Sequence, residues 1–253
     1  MATGATRRVG RGGRTLGLGL LLWQLAVLAW GGSLTPQEKK DGWRLLFDGK
    51  TTEGWRGFMK STFPKERWEV RDGCLKVARP GSGGGDIVSE EAFEEFDLRW
   101  EWRIAAAGNS GLKYFVDEER QAPIGHEYQL LDDARHPDGK VGPQRQTGSF
   151  YDVLPPAADK RLHAVGEWNE SRVWVSGQHV EHWLNGAKVL QYELGSPELA
   201  AAIAHSKFKD VKGFGTRIRG HILLQDHGDE VWFREIKIQT RAQRGAASEG
   251  GER

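Results

Sequence analysis

The segment LRWEWRI, residues 98–104, alternates apolar residues with charged ones. On an extended strand, Trp100 and Trp102 would share one face with Leu98 and Ile104, because successive side chains point to opposite sides. Arg99, Glu101 and Arg103 would occupy the other face. The pattern predicts an antiparallel strand with one packed face and one polar face.

The same organisation extends from Trp43 to about Thr240. Short apolar or aromatic runs alternate with turn dipeptides such as Asp72-Gly73 and Asn185-Gly186, which is typical of hairpin-linked strands. The spacing predicts roughly ten or more strands in one domain, residues 43–240. One helix is expected from Pro197 to about Phe208, because Ser196 can cap it and Pro197 suits its first turn. The prediction is an all-β sandwich with one short helix.

Composition excludes several classes of function. Lys plus Arg number 36 and Asp plus Glu 35, so there is no positive excess for binding nucleic acid. Cys74 is the only cysteine, which excludes an internal disulfide and a cysteine metal cluster. The glycines of residues 81–85 lack the Lys-Ser/Thr of a phosphate loop, and no Gly-x-Ser-x-Gly elbow occurs. We therefore expect no nucleotide cofactor and no serine nucleophile.

The two ends of the chain differ from the domain between them. A basic stretch is followed by an apolar run from Leu16 to Trp30 and by small residues, which predicts a signal peptide over residues 1–32. An uncleaved anchor is the alternative. The protein is expected to be exported to the periplasm or the extracellular space, with no membrane association after cleavage. Residues 241–253 have no periodicity and are expected to be disordered.

Several segments, in order, resemble the 3-keto-disaccharide hydrolase family. The resemblance covers about Trp43 to Thr240 and is carried by Leu46-Phe47-Asp48-Gly49-Lys50, Gly54-Trp55, Trp68-Glu69-Val70, Leu98 to Ile104, Gly108-Asn109-Ser110-Gly111, Glu127 to Asp132, His136-Pro137-Asp138, Gly148 to Asp152, Gly166-Glu167-Trp168-Asn169, Glu181 to Gly186, Leu224 to Gly228 and Val231 to Ile238. It implies a concanavalin A-like jelly-roll β-sandwich whose concave face binds a small carbohydrate. It also implies cleavage of glycosides that carry a ketone at C3.

A 3-keto group makes the C2 proton acidic, so a base can remove it and expel the aglycone from C1. Water then adds to the unsaturated sugar. Such a site needs a base near C2, an acid near the leaving oxygen and an electrophile on the ketone oxygen. A divalent metal ion of unspecified identity is a natural electrophile.

The candidate catalytic residues are Glu127 and His136. On a strand Glu127 and Gln129 share one face, so a carboxylate and a hydroxyl-binding amide would converge on one pocket. The alternative is a surface strand with polar positions. His136 would act as base, acid or metal ligand, or it is an ordinary solvated loop histidine.

Further candidates would contact the substrate. Glu101 is a sugar-face carboxylate or a partner in a cross-strand ion pair. Asn109 contacts a hydroxyl or shapes a polar turn. Asp226 and His227 end a strand and either contact the sugar or brace the turn. His182, which shares its parity with Val180 and Leu184, is expected to be structural.

The sequence is also compatible with two rival functions. The same fold hosts noncatalytic carbohydrate-binding modules. An ordinary glycosidase would need two carboxylates about 5 to 10 Å apart. Glu127 and Asp132 are five residues apart, so on a regular strand they face opposite ways, which weakens that pair.

Overall fold

The computed structural model describes Met1, residues 32–78, Gly81 and residues 83–240. The predicted signal peptide lies outside these residues except at its two ends. The predicted disordered tail, residues 241–253, lies outside them entirely.

Two antiparallel sheets contain the thirteen strands of the described residues. The strands are β1 Arg44–Leu45, β2 Trp55–Gly57, β3 Trp68–Arg71, β4 Cys74–Val77, β5 Ile87–Phe93, β6 Phe96–Ile104, β7 Asn109–Val116, β8 His126–Leu131, β9 Asn169–Ser176, β10 His179–Leu184, β11 Ala187–Glu193, β12 Gly220–Leu224 and β13 Val231–Thr240. The large sheet has the order β11-β10-β9-β6-β13-β4-β3, with β1 beside β13. The small sheet has the order β2-β5-β12-β7-β8. The predicted all-β jelly-roll sandwich is confirmed.

The alternating segment forms β6, near the middle of the large sheet between β9 and β13. Trp100 and Trp102 are fully buried between the sheets, whereas Arg99 and Glu101 are half-exposed on the outer face. The Trp100 ring meets the Tyr128 ring of the small sheet edge-on, with 5.1 Å between centroids. Aromatic burial of this kind holds the two sheets together.

The hairpins close where turn dipeptides were predicted. Asn185 and Gly186 have φ angles of 48° and 81° between β10 and β11, and Asp72 and Gly73 have 51° and 74° between β3 and β4. Two consecutive positive φ angles fit the twist of a two-residue hairpin, and Asn-Gly and Asp-Gly accept them at low cost.

Three α-helices accompany the sheets in the described chain, namely α1 Pro36–Lys40, α2 Pro137–Val141 and α3 Pro197–Ala204. α3 is the predicted helix, and Ser196 caps it by accepting the Leu199 N–H at 3.1 Å. It ends four residues before Phe208, which instead packs into the core against Phe214. The one-turn helices α1 and α2 were not predicted, because five residues are too few for a helical repeat. None of the helices between residues 32 and 240 is long and apolar enough to cross a bilayer.

Candidate functional site

Strand β8 presents two chemically different faces. Tyr128 and Leu130 point into the core between the sheets. Glu127 and Gln129 therefore point to the outer face of the small sheet, away from the large sheet. Both are nonetheless buried, with 5% and 0% of their surface exposed. The outer face is thus covered around these two side chains, and we call this covered region the trough.

A polar row crosses the floor of this trough, and it consists of Ser149, Gln129, Gly111, Gln225 and Asp86. Gln129 lies opposite Gly111 in the β7–β8 register. The Gln225 N–H donates to the Gly111 carbonyl at 2.9 Å, and the Gln129 N–H points to the Ser149 carbonyl at 3.4 Å. Asp86 comes next to Gln225 in the register set by Leu224 and Ile87.

Three side chains of the polar row carry unused hydrogen-bonding atoms. Gln129 Nε2, Ser149 Oγ and Gln225 Oε1 are buried and have no hydrogen-bond partner among the described residues. A buried polar group without a partner costs free energy, and native proteins seldom leave one without a reason. Three in one row, offering an amide donor, a hydroxyl and an amide acceptor, are suited to a ligand with several hydroxyl groups.

Glu127 lies over the polar row. A Cβ on Gly111 would stand 2.6 Å from Glu127 Oε1, so the absence of a side chain at Gly111 makes room for the carboxylate. On the other side, Lys113 Nζ is 3.7 Å from Glu127 Oε2 and also donates to the Pro123 carbonyl at 3.1 Å. The Glu127 carboxylate thus has space beside Gly111, and the Lys113 ammonium lies close enough to balance its charge.

A hydrogen-bonded group forms the wall beside Glu127. The Tyr151 hydroxyl donates to Asp138 Oδ2 at 2.6 Å, and Arg145 reaches Asp138 at 3.2 Å and Asp152 at 2.7 Å. Burial raises the pKa of Asp138, but the bonds from Tyr151 and Arg145 outweigh it and hold that pKa below its usual value. Lys207 is exposed at the rim, with its ammonium 4.2 Å from the centre of the Tyr151 ring, and partial loss of water lowers its pKa.

The Asp86 end of the row is braced by an ion pair. Arg67 Nη2 lies 2.6 Å from Asp226 Oδ2, whose side chain is fully buried. The Asp226 N–H donates to Asp86 Oδ1 at 2.8 Å, and the Asp226 carboxylate also accepts the Gly228 N–H at 3.0 Å. Burial raises the pKa of Asp86. Asp226 therefore holds Asp86 in position at this end of the polar row.

At the open end of β7 four polar residues meet. Asn109 shares the outer face with Gly111, and its N–H donates to Asp229 Oδ2 at 2.9 Å. Its side-chain nitrogen lies 3.5 Å from His227 Nε2. The His227 and His136 rings stand edge to face with 6.1 Å between their centroids. His136 caps α2 by accepting the Asp138 N–H at 3.1 Å.

A chain of hydrogen bonds runs through the core directly behind β8. The Gly215 N–H donates to His126 Nε2 at 3.2 Å, which places the ring proton on Nδ1. His126 Nδ1 then donates to the Tyr192 hydroxyl at 3.0 Å, Tyr192 donates to Tyr114 at 2.5 Å, and Tyr114 donates to His182 Nε2 at 2.8 Å. His182 Nδ1 completes the chain at the Gly148 carbonyl, 3.0 Å away.

This core chain leaves none of its side-chain groups unpaired and fixes the tautomer of both imidazoles. Burial lowers the pKa of His126 to about 3 and that of His182 to about 4, so both rings are neutral at pH 7. The chain joins the strand that carries Glu127 to the segment that carries Ser149. His182 is structural, as its parity predicted.

The structure brings five of the predicted site residues to the trough or its open end, and these are Glu127, Gln129, Asn109, His136 and His227. It does not bring Glu101 there. Glu101 lies on the outer face of the large sheet, across the sandwich from Glu127, and pairs with Arg234 at 2.7 Å. The predicted sugar contact of Glu101 is corrected to the cross-strand ion pair. Asp226 is likewise corrected to the bracing role, because its carboxylate is buried against Arg67.

Sequence reasoning missed several residues of the site, namely Gly111, Lys113, Ser149, Tyr151, Gln225 and Asp229. Lys113 could have been found from strand alternation, because it lies two residues after Gly111 on the same strand and therefore on the same face. Ser149 and Gln225 lie beyond the ends of regular strands, and their position follows from tertiary pairing with β8 and β7.

Comparison with known proteins agrees with this architecture. A family model described as the 3-keto-alpha-glucoside-1,2-lyase-like domain matches residues 42–239. The chain belongs to this family. It is 36% identical over 230 residues to the 3-keto-disaccharide hydrolase of Bacteroides thetaiotaomicron, covering 79% of each chain. The resemblance to the 3-keto-disaccharide hydrolase family is confirmed.

Two crystal structures from Parabacteroides distasonis, both assigned as glycosyl hydrolases, share the fold of this family member. The first is 32% identical with a TM-score of 0.75, and the match covers 83% of the present chain and 99% of that chain. The second is 28% identical with a TM-score of 0.63, covering 78% and 98%. The family match at residues 42–239 covers all thirteen strands of the described chain except Thr240, the last residue of β13.

Proposed function

We propose that the protein is an exported enzyme that cleaves 3-keto-glycosides, including 3-keto-disaccharides, with the sugar bound along the polar row. The observation that carries the proposal is the set of three unpartnered buried groups, Gln129 Nε2, Ser149 Oγ and Gln225 Oε1, beneath the Glu127 carboxylate. The choice of an oxidised sugar as the substrate is supported by membership of the family and by similarity to a 3-keto-disaccharide hydrolase.

In this mechanism Glu127 is the base. Its carboxylate removes the proton from C2, and the electrons form the enolate of the 3-ketone. The enolate then expels the aglycone oxygen from C1, and the protonated Glu127 returns the proton to the departing oxygen. Addition of water across the C1–C2 double bond gives net hydrolysis. Lys113, at 3.7 Å, balances the charge of Glu127 between steps.

The remaining residues orient the sugar. Gln129, Ser149 and Gln225 hold its hydroxyl groups from the floor, and Asn109 holds one at the open end. The ketone oxygen faces His136 and His227, where a hydrogen-bond donor or a bound cation stabilises the enolate. A divalent cation bound there would act as a Lewis acid on that oxygen. His136 is then an electrophilic residue rather than the base.

The paired-carboxylate mechanism of ordinary glycosidases is disfavoured by the environment of Asp132. Its carboxylate accepts the Ala107 N–H at 2.8 Å and binds Arg135 at 3.2 Å. These bonds hold Asp132 at the end of β8, so Asp132 is not a partner for Glu127, and Asp86 is the carboxylate of the polar row that interacts with Glu127.

The decisive experiment is incubation of the purified protein with a 3-keto-disaccharide and, in parallel, with the unoxidised disaccharide. Release of the second sugar from the 3-keto substrate alone is expected, with and without added divalent cation as separate arms. Binding without turnover in both arms would instead identify a noncatalytic carbohydrate-binding module. Equal cleavage of the unoxidised sugar would contradict the elimination mechanism.

A further inference from the structure

Asp229 joins His136 and His227 in one group of ionisable side chains at the open end of the trough. One ligand atom from each of His136, His227 and Asp229 lies within 4.8 Å of the other two. His227 is exposed, and His136 and Asp229 are partly exposed. The group brings together two imidazoles and a carboxylate.

The fold assembles this group from two distant segments. His136 precedes α2 after β8, whereas His227 and Asp229 lie in the connection from β12 to β13. Asn109, at the start of β7, links the two residues of the second segment, since it donates to Asp229 and lies beside His227. The convergence is therefore a product of the sheet order rather than of closeness in sequence.

The distances within the group suit a shared cation better than direct hydrogen bonds. His227 Nδ1 and Asp229 Oδ2 are 4.0 Å apart, which exceeds a hydrogen bond of about 3 Å. Two ligands bound to one ion at about 2.1 Å each with a tetrahedral angle between them are separated by about 3.4 Å. A contraction of about 0.6 Å would bring His227 and Asp229 to this separation, and one of at most about 1.4 Å would bring the outermost pair there.

The ligand types define the class of ion. Imidazole nitrogen with one carboxylate suits zinc, cobalt, manganese or iron rather than calcium, which prefers oxygen ligands alone. Three protein ligands leave at least one coordination position open, as in catalytic rather than structural sites. His136 Nδ1 accepts only the Asp138 N–H among the described residues, and a cation at that nitrogen would replace this single contact.

We propose that His136, His227 and Asp229 bind one divalent transition-metal ion at the mouth of the trough, with Asn109 orienting Asp229. Asn109 lies two residues, or about 7 Å, along β7 from Gly111 of the polar row. A role of the ion in polarising the ketone oxygen rests on the proposed function, whereas binding of the ion to the protein does not.

The test is titration of the tag-free, chelator-treated protein with zinc chloride by calorimetry, and with cobalt chloride by visible absorption. One ion per chain is expected to bind the wild type. His227→Ala and Asp229→Asn should each weaken binding at least about 100-fold, by analogy with the cost of disturbing established metal sites. His205→Ala is the matched control, because His205 is exposed and bonds only to its own helix at Ala201.

Two further measurements separate binding from folding and from catalysis. Zinc should raise the melting temperature of the wild type and of His205→Ala but not of the two ligand variants, whose metal-free melting temperatures should match the wild type. Glu127→Gln should bind the ion normally even though it is inactive. Equal zinc affinity in wild type, His227→Ala and Asp229→Asn would overturn the proposal, as would the absence of binding to the wild type.

Discussion

The carboxylate of Glu127 occupies the space that a side chain at Gly111 would fill. The two residues are on neighbouring strands, with Gly111 opposite Gln129, and an added Cβ would come within 2.6 Å of Glu127 Oε1. The position of the proposed base is therefore set partly by the residue across from it. A glycine here serves a close approach rather than a turn.

Gly111→Ala is expected to lower kcat/KM by roughly 100-fold, because displacing a catalytic group by about 1 Å can cost this much. Steady-state kinetics on a 3-keto-disaccharide would measure it. Gly57→Ala is the control, since it lies in the same sheet and its nearest neighbour is the flexible Lys60 side chain. Similar activities for the two variants would show that Glu127 does not need this space.

Glu127→Gln is expected to lower kcat by about 10²- to 10⁴-fold, the usual contribution of a general base. The amide keeps the shape of the side chain but cannot accept the C2 proton. Single-turnover kinetics and a melting curve would separate loss of chemistry from loss of fold. Glu198→Gln, at an exposed position in α3, should be fully active. Near-normal turnover of Glu127→Gln would show that Glu127 is not the base.

Gln225→Ala is expected to raise KM about 3- to 10-fold with a smaller effect on kcat, which corresponds to loss of one neutral hydrogen bond of about 1 kcal/mol. The acceptor lost is the unpartnered Oε1 in the polar row. Gln178→Ala, in the exposed β9–β10 hairpin, provides the matched control. An unchanged KM would mean that the sugar does not lie along this row.

The two buried histidines predict how stability depends on pH. Their pKa values are lowered in the folded state, so the unfolded chain, with a histidine pKa near 6.5, binds more protons as the pH falls. Stability is therefore lost below about pH 6.5 and continues to fall toward pH 4. Between pH 7 and pH 5 the two rings should together reduce the free energy of unfolding by roughly 3 to 4 kcal/mol.

Urea unfolding at pH 7, 6 and 5 would measure this loss, and His182→Gln should show about half of the histidine contribution. The wild type must be compared with His182→Gln because His179 changes the pH dependence of stability in the opposite sense. The bonds from His179 to Glu193 and Glu181 raise its pKa. Identical pH dependence in both proteins would contradict the assignment of His182 as a neutral buried ring.

Tyr114→Phe is expected to reduce the free energy of unfolding by about 2 to 4 kcal/mol. Its hydroxyl is the middle link of the core chain, so its loss leaves both Tyr192 and His182 with an unpaired group. Tyr151→Phe should cost less, because its hydroxyl donates to the partly exposed Asp138. Thermal or chemical unfolding compares the two, and equal losses would argue against a continuous chain.

Local patterns predicted the fold well. The alternation of residues 98–104 and the Asn185-Gly186 and Asp72-Gly73 turns depend on neighbours in the chain, and each forms the expected structure. Ser196 likewise marks the start of α3. The sharing of one face by Glu127 and Gln129 also followed from alternation. These features are local because the strand repeat is only two residues long.

The parts of the site that were not predicted depend on tertiary pairing. Alternation does not reveal which of the two sheets contains β6. Glu101 was therefore a candidate for sugar contact, although β6 pairs with β13 in the large sheet and its outer face points away from the trough. The burial of Asp226 against Arg67 joins residues 159 positions apart. Gln225 and Ser149 come next to Gly111 and Gln129 only when the small sheet is complete.

The hydrogen bonds of the core chain from Gly215 to Gly148 all run in one direction. Every proton in it points the same way, so reversing any single link would set two donors or two acceptors against each other. The hydroxyl protons of Tyr114 and Tyr192 can then exchange with solvent only when the two sheets separate. Their magnetic resonance signals should persist in water and report the opening of the sandwich from within.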